Sequence, residues 1–183
     1  MEIILASASP RRRELMTMIT PNFTICTSEV DESGITAATP ALLVQQLARA
    51  KCLDVAKDHP DKVVIGCDTV VDVGGEVFGK PRDEQDARRM LQALSGRTHQ
   101  VHTGVCIACG ERVECFCDSC DVSFFPIAEE DMEAYIASDE PYDKAGAYAI
   151  QGHAAVWIDR LAGDYYTIMG FPVSRVARAL HSF

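Results

Sequence analysis

Asp68 is an acid in an unfavourable place for one. It stands in Gly66-Cys67-Asp68-Thr69, inside the β-branched run KVVIGCDTVVDV (62–73), with apolar neighbours on both sides. Aspartate is disfavoured in strands, and a carboxylate among such neighbours must find a partner, a metal or a proton. An aspartate bonded to nearby backbone meets that demand. So does a carboxylate set aside for acid–base or metal chemistry.

Three further segments carry polar chemistry. Ser7-Ala8-Ser9-Pro10-Arg11-Arg12 joins an apolar stretch to a helical pattern. A strand that delivers the chain to a helix N-terminus presents free N–H groups that favour an anion. Two arginines there can hold phosphate oxygens in bidentate fashion. The plainer reading is a capped helix start with solvated arginines. Gly79-Lys80-Pro81-Arg82 follows a glycine turn at Gly74-Gly75. The small residues of DKAGAYAIQG (143–152) let a backbone come close to a ligand. Each of these, taken singly, reads as a loop with exposed charge.

The elements that must position these residues follow from periodicity. EIILA (2–6) reads as a short buried strand, and a helix is predicted from Pro10 to about Ile19. Ser9 is its natural N-cap, with proline at the first helical position. FTICTS (23–28) reads as a strand. Residues 39–58 repeat apolar side chains at helical spacing, with Thr39 as cap and Pro40 at the first position. Residues 62–73 and 76–80 form a strand and its hairpin partner. DEQDARRMLQALSG (83–96) is a helix with an acidic first turn and a terminal glycine. Residues 99–109 and 113–125 read as two long strands, 128–138 as a helix, and 172–183 as a closing helix. AAVWIDRLAGDYYTIMG (154–170) reads as strand, turn, strand. Alternating strands and helices with inserted hairpins predict an α/β fold with a mixed sheet. The 183 residues suit one domain, 1–183, or one core with two lobes.

Charge and composition exclude several classes. The net charge is −10, so the chain as a whole does not attract nucleic acid or anionic lipid. Arg11, Arg12 and Arg13 nevertheless gather cations locally, as a small polyphosphate ligand requires. No stretch approaches the roughly 18 apolar residues of a membrane span. The start lacks the basic region and long apolar core of a signal peptide, so the expected compartment is the cytoplasm.

In order and spacing, SASPRR, GCDTVV, GKP, LSGRTHQVHTGV and DKAGAYAIQG resemble the Maf family, over nearly the whole chain. The resemblance implies nucleotide pyrophosphatases with a mixed twisted sheet flanked by helices. It also implies two lobes around a deep cleft, similar to inosine-triphosphate pyrophosphatases, a divalent cation (Mg²⁺ or Mn²⁺), and a homodimer as the frequent assembly. Carried over residue by residue, it makes Asp68 the catalytic aspartate and Glu32 an acid near the metal; since Mg²⁺ prefers carboxylate, water and phosphate oxygens, Glu32 and Asp68 are the candidate metal ligands, directly or through water. Ser7, Arg11, Arg12, Lys51 and Lys80 match positions around the phosphates. Arg12, Thr69 and Gln151 match positions tied to substrate choice, and their types resemble the subgroup that hydrolyses dTTP and UTP. The 7-methyl-GTP subgroup carries a large aromatic and an acid at the first two. Two roles for Asp68 stay open, general base or metal ligand. The family name also implies a rival reading, a nucleotide-binding regulator of septum formation.

The eight cysteines pose a separate question. Cys106-x-x-Cys109 and Cys117-x-x-Cys120 have the spacing of two zinc knuckles. Both pairs fall in strand-like sequence, where residues three apart point to opposite faces. Free thiols in a long hairpin are therefore expected. His99, His102 and His153 lack the spacing of a zinc-hydrolase site and are expected to be core or solvated residues.

Overall fold

A computed structural model describes residues 2–183. The chain runs β1 (Ile3–Ala6), α1 (Pro10–Thr17), β2 (Phe23–Ile25), α2 (Pro40–Ala56), β3 (Val63–Val73) and β4 (Glu76–Phe78). It continues through α3 (Glu84–Leu94), β5 (Thr98–Cys109), β6 (Arg112–Phe124), α4 (Glu129–Ile136), β7 (Ile158–Ala162), α5 (Tyr165–Ile168) and α6 (Val173–Leu180). One seven-stranded sheet has the order β2-β1-β3-β5-β6-β7, with β4 added to β3. The pairings of β1 with β2 and β3 are parallel and the others antiparallel, which is the mixed α/β sheet predicted.

The helix starts follow from their caps. Ser9 Oγ accepts from Arg12 N at 3.4 Å, and Thr39 Oγ1 accepts from Leu42 N at 3.2 Å. Proline follows both caps, where its missing N–H costs nothing. Asp83 caps α3 by accepting from Asp86 N at 2.8 Å.

Apolar residues gather in three clusters. One lies under α1 and α6, with Leu15, Met16, Val176 and Leu180 packed on Ile3, Leu5, Ile65 and Ile107. A second, on the opposite face of the same strands, puts Ala48, Cys52 and Val55 of α2 against Ile4, Val64 and Cys106. The third lies at the other end of the long strands, where α3 and α4 cover Val71, Val101, Val122 and Phe124. The long strands thus carry two lobes.

Two glycines let α2 lie directly on the sheet. A Cβ on Gly66 would stand 2.5 Å from Ala48 O, and one on Gly104 would stand 2.1 Å from Val44 O. Gly104 pairs with Asp68 across the strands, so this close seating brings the helix down beside Asp68.

Residues 154–170 depart from the predicted strand–turn–strand. Residues 153–157 form a 3₁₀ turn, Ile158–Ala162 is the strand, and Tyr165–Ile168 is a single helical turn. Asp164 O accepts from Thr167 N, and Thr167 Oγ1 shares its one proton between the Asp118 and Asp164 carboxylates, at 3.1 and 3.3 Å. These bonds, one of them to Asp118 on β6, outweigh the strand preference of the Tyr-Tyr-Thr-Ile run.

His99 is buried in the third cluster, edge-on to Phe124 and Tyr148. Its Nε2 meets Tyr148 Oη at 2.8 Å, while Nδ1 is buried without a partner among the described residues. Burial lowers its pKa from 6.5 to about 4, against a weaker opposing pull from Asp121.

Two measurements test this architecture. Gly104→Ala should destabilise the protein by about 3 kcal/mol or more in urea unfolding, since helix backbone has no room to give. Wild-type stability there would mean α2 does not rest on the sheet. For His99, the unfolded chain binds the extra proton, so its contribution is complete above pH 6.5. It is lost as pH falls toward about 4, in total about 3 kcal/mol. His99→Phe should flatten that acid limb, whereas limbs of equal slope in both proteins would clear His99 of it.

Candidate active site in a gap of the sheet edge

Strand β3 outruns its neighbour. β1 ends at Ala6, opposite Gly66, and β4 begins to pair only at Val71. On the other edge β5 pairs with β3 from Val64 to Asp72 without a break. Cys67, Asp68, Thr69 and Val70 therefore face a gap. The chain leaving β1 turns over that gap through Ser7 and Ser9 into α1. A cleft of about 810 Å³ opens there. Its lining includes all nine residues singled out by sequence: Ser7, Arg11, Arg12, Glu32, Lys51, Asp68, Thr69, Lys80 and Gln151.

Asp68 points to the α2 face. Lys51, from the fourth turn of α2, places Nζ 2.6 Å from Asp68 Oδ1 and 3.1 Å from Glu32 Oε1. Lys51 and Asp68 side chains are only 18% and 14% exposed, so little solvent screens the pair, while Glu32 at 45% reaches out to water. Among the described residues, Asp68 Oδ2 has no hydrogen-bond partner. The carboxylate is anchored by one oxygen and presents the other to the cleft.

Thr69 points to the α1 face, where Arg12 is tied into the protein. Arg12 Nε donates to Gly170 O at 2.9 Å, Nη1 to Cys67 O at 2.8 Å and to Ser7 Oγ at 3.4 Å, and Nη2 to Thr69 Oγ1 at 3.1 Å. Cys67 O lies on the unpaired edge, so the guanidinium stands in for a missing strand. Four of the five guanidinium N–H groups are thereby committed. The Cys67 thiol is fully buried, and burial raises its pKa to about 11, which leaves it inert.

The remaining residues sit around the rim. Arg11 lies 3.8 Å from the Asp143 carboxylate, which also pairs with Lys144. Lys80 and Gln151 are exposed. Gly146 N donates to Gly79 O at 3.0 Å, joining the GKP turn to the DKAGAYAIQG segment. Sequence reasoning missed Thr103, Thr167 and Gly170. The only sequence signal was a polar Thr103 in the apolar run HTGVCIA, in register with Thr69.

The cysteine pairs do not face one another. Cys106 lies opposite Cys115, Cys117 opposite Gly104, and Cys120 opposite Val101. All eight thiols are free, and among the described residues no three His, Cys, Asp or Glu side chains are grouped to hold a metal. No helix among them is long and apolar enough to cross a membrane.

Known proteins share this architecture. A Ham1 protein of Staphylococcus aureus superposes with a TM-score of 0.59 at 14% identity, covering 100% of this chain and 99% of that one. A HAM1 protein from Coxiella burnetii gives 0.60 at 13% identity, with both chains fully covered. Sequence relatives are much nearer. A Bacillus cereus protein named dTTP/UTP pyrophosphatase is 42% identical over 182 residues, covering 100% of this chain and 95% of its own length. Proteins of the same name from Bacillus velezensis and Halalkalibacterium halodurans are each 45% identical, covering 99% of this chain and 96% of theirs. Residues 2–183 match the family described as Maf-like protein, and the chain belongs to that family.

Proposed function

We propose that this protein hydrolyses nucleoside triphosphates, dTTP and UTP above all, to the monophosphate and pyrophosphate. The observation that carries this reading is the Glu32–Lys51–Asp68 cluster opening onto a cleft rimmed by Arg11 and Lys80. A carboxylate held beside cations is suited to attack on a polyphosphate, since attack requires both an oriented water and neutralised phosphate charge. The substrate assignment draws on the names of the full-length relatives.

In this reading a water oxygen attacks the α-phosphorus as the bond to the bridging oxygen breaks. Pyrophosphate leaves with that oxygen. Asp68 Oδ2 accepts a hydrogen bond from the water, while Lys51 holds Oδ1 and fixes the carboxylate's direction. Arg11 and Lys80 receive the phosphate chain at the mouth of the cleft, and the buried Ser7 hydroxyl lines its wall. Arg12, with most of its N–H groups engaged, shapes the Thr69 end, and Gln151 lines the same cleft.

The donor set also fits a divalent cation. Glu32 and Asp68 both approach the Lys51 ammonium, which supports a reading in which their oxygens share a cation. Two carboxylates leave positions for water and phosphate oxygens, as Mg²⁺ prefers. A cation held by them would offset charge on the phosphate oxygens.

Incubation with Mg²⁺ and a panel of triphosphates should release pyrophosphate and monophosphate. Orthophosphate as the product, or highest activity on 7-methyl-GTP, would contradict the reading. Asp68→Asn should lower kcat about a hundredfold or more while nucleotide affinity by calorimetry stays within a few-fold. Undiminished turnover in that variant would remove Asp68 from the chemistry. Chelation by EDTA should abolish turnover and added Mg²⁺ or Mn²⁺ restore it, and activity that persists in EDTA would rule out the cation.

A further inference from the structure

Three threonines and one arginine form a chain whose proton positions can be deduced. Thr103 Oγ1 lies 2.7 Å from Thr167 O, Thr69 Oγ1 lies 2.9 Å from Thr103 Oγ1, and Arg12 Nη2 lies 3.1 Å from Thr69 Oγ1. A carbonyl oxygen has no proton, so the proton in the first contact belongs to Thr103. A hydroxyl has only one. The contact between the two hydroxyls must then use the proton of Thr69. A guanidinium only donates, so Thr69 accepts from Arg12. Thr69 has spent its proton and one lone pair, and one lone pair remains.

The chain is held where water cannot rearrange it. Thr103 and Thr167 are 0% exposed. Thr69 and Thr103 are directly opposed on β3 and β5, which fixes their side chains on one face. Thr167 O also accepts from Gly170 N at 3.0 Å, and Gly170 O accepts from Arg12 Nε, so the far end is anchored twice. Both Thr69 and Arg12 line the cleft. The second Nη2 N–H of Arg12 has no partner among the described residues.

We propose that Thr103 is a positioning residue for base selection. By taking the only proton of Thr69, it fixes that hydroxyl as an acceptor beside the remaining N–H donor of Arg12. An acceptor next to a donor complements a ring N–H next to a carbonyl, the edge that uracil and thymine carry. Cytosine reverses the order, with a bare ring nitrogen beside an amino group, and would leave both protein groups opposed by like partners. The inference rests on the proposed pyrophosphatase function and adds a reason for taking uracil and thymine over cytosine.

The test compares kcat/KM for UTP and CTP in wild type, Thr103→Val and Thr103→Ser. Valine keeps the shape but returns the proton to Thr69, which can then donate to the ring nitrogen of cytosine. The UTP:CTP ratio should fall at least about tenfold, which corresponds to roughly 1.4 kcal/mol, and serine should restore it. Equal losses on both substrates, with the ratio unchanged, would reduce Thr103 to a packing residue and overturn the inference. A second measurement needs no variant. The ring N–H of 5-fluorouridine triphosphate is more acidic than that of UTP, and its loss turns a donor into an acceptor without adding bulk at that edge. Wild-type kcat/KM for it, relative to UTP, should decline between neutral pH and mild alkali. A constant ratio would overturn the inference even if Thr103→Val failed to fold. Failure of the wild type to cleave UTP at all would instead bring down the functional reading, and this inference with it.

Discussion

The site depends on a mismatch in strand length. β3 spans Val63–Val73, but β1 stops opposite Gly66 and β4 pairs only from Val71. A strand edge without a partner exposes unpaired backbone groups. Here the gap is bounded on three sides, by the turn after β1, by α2 and by the DKAGAYAIQG segment. The result is a cleft instead of a free edge. Arg12 satisfies Cys67 O, one of the carbonyls thus exposed, and in doing so draws α1, β3 and Gly170 together. Without the gap, Asp68 and Thr69 would be ordinary residues of a covered sheet.

The charge distribution follows from that geometry. The chain carries ten more negative than positive charges, yet its cleft gathers Arg11, Arg12, Lys51 and Lys80. These cations have different freedom. Arg12 is bound by four protein acceptors and Lys51 by two carboxylates. Arg11 is held by one distant carboxylate, and Lys80 is exposed. A cation with committed donors organises a site, because moving it would strand buried acceptors. A loosely held one can turn to an incoming anion at little cost. Under the proposed function, Arg11 and Lys80 are the side chains free to follow a polyphosphate, and Arg12 and Lys51 are the frame.

Much of this was legible in the sequence, for a physical reason. Asp68 was visible because an acid in a β-branched strand violates a local rule. The caps at Ser9 and Thr39 were visible because capping is a local interaction with a local residue signature. The region 154–170 was misread because the bonds that curl Tyr165–Ile168 involve Asp118, distant in sequence. Thr103 was missed for a similar reason. A threonine in a strand is ordinary, and only its register opposite Thr69 and its contact with Thr167 O place it in the chain that leads to Arg12. Gly66 and Gly104 carry no local signature either, since what requires them is α2 resting on the sheet.

Consecutive residues of a strand point to opposite faces, so Asp68 and Thr69 cannot meet a ligand that lies on one face of the sheet. They can meet a ligand that passes through the gap. Under the proposed function the phosphates lie on the α2 side, with Lys51 and Asp68, and the base on the α1 side, with Arg12 and Thr69. The distance between the group that acts on the α-phosphorus and the group that reads the base is then set by one peptide unit, about 3.8 Å between Cα atoms. Neither group can shift without moving the other. A base that does not seat against Thr69 would therefore displace its α-phosphorus from Asp68, and a displacement near 1 Å is enough to slow a reaction about a hundredfold. Such coupling makes discrimination appear in kcat as well as in binding, and it needs no moving part beyond the rim side chains.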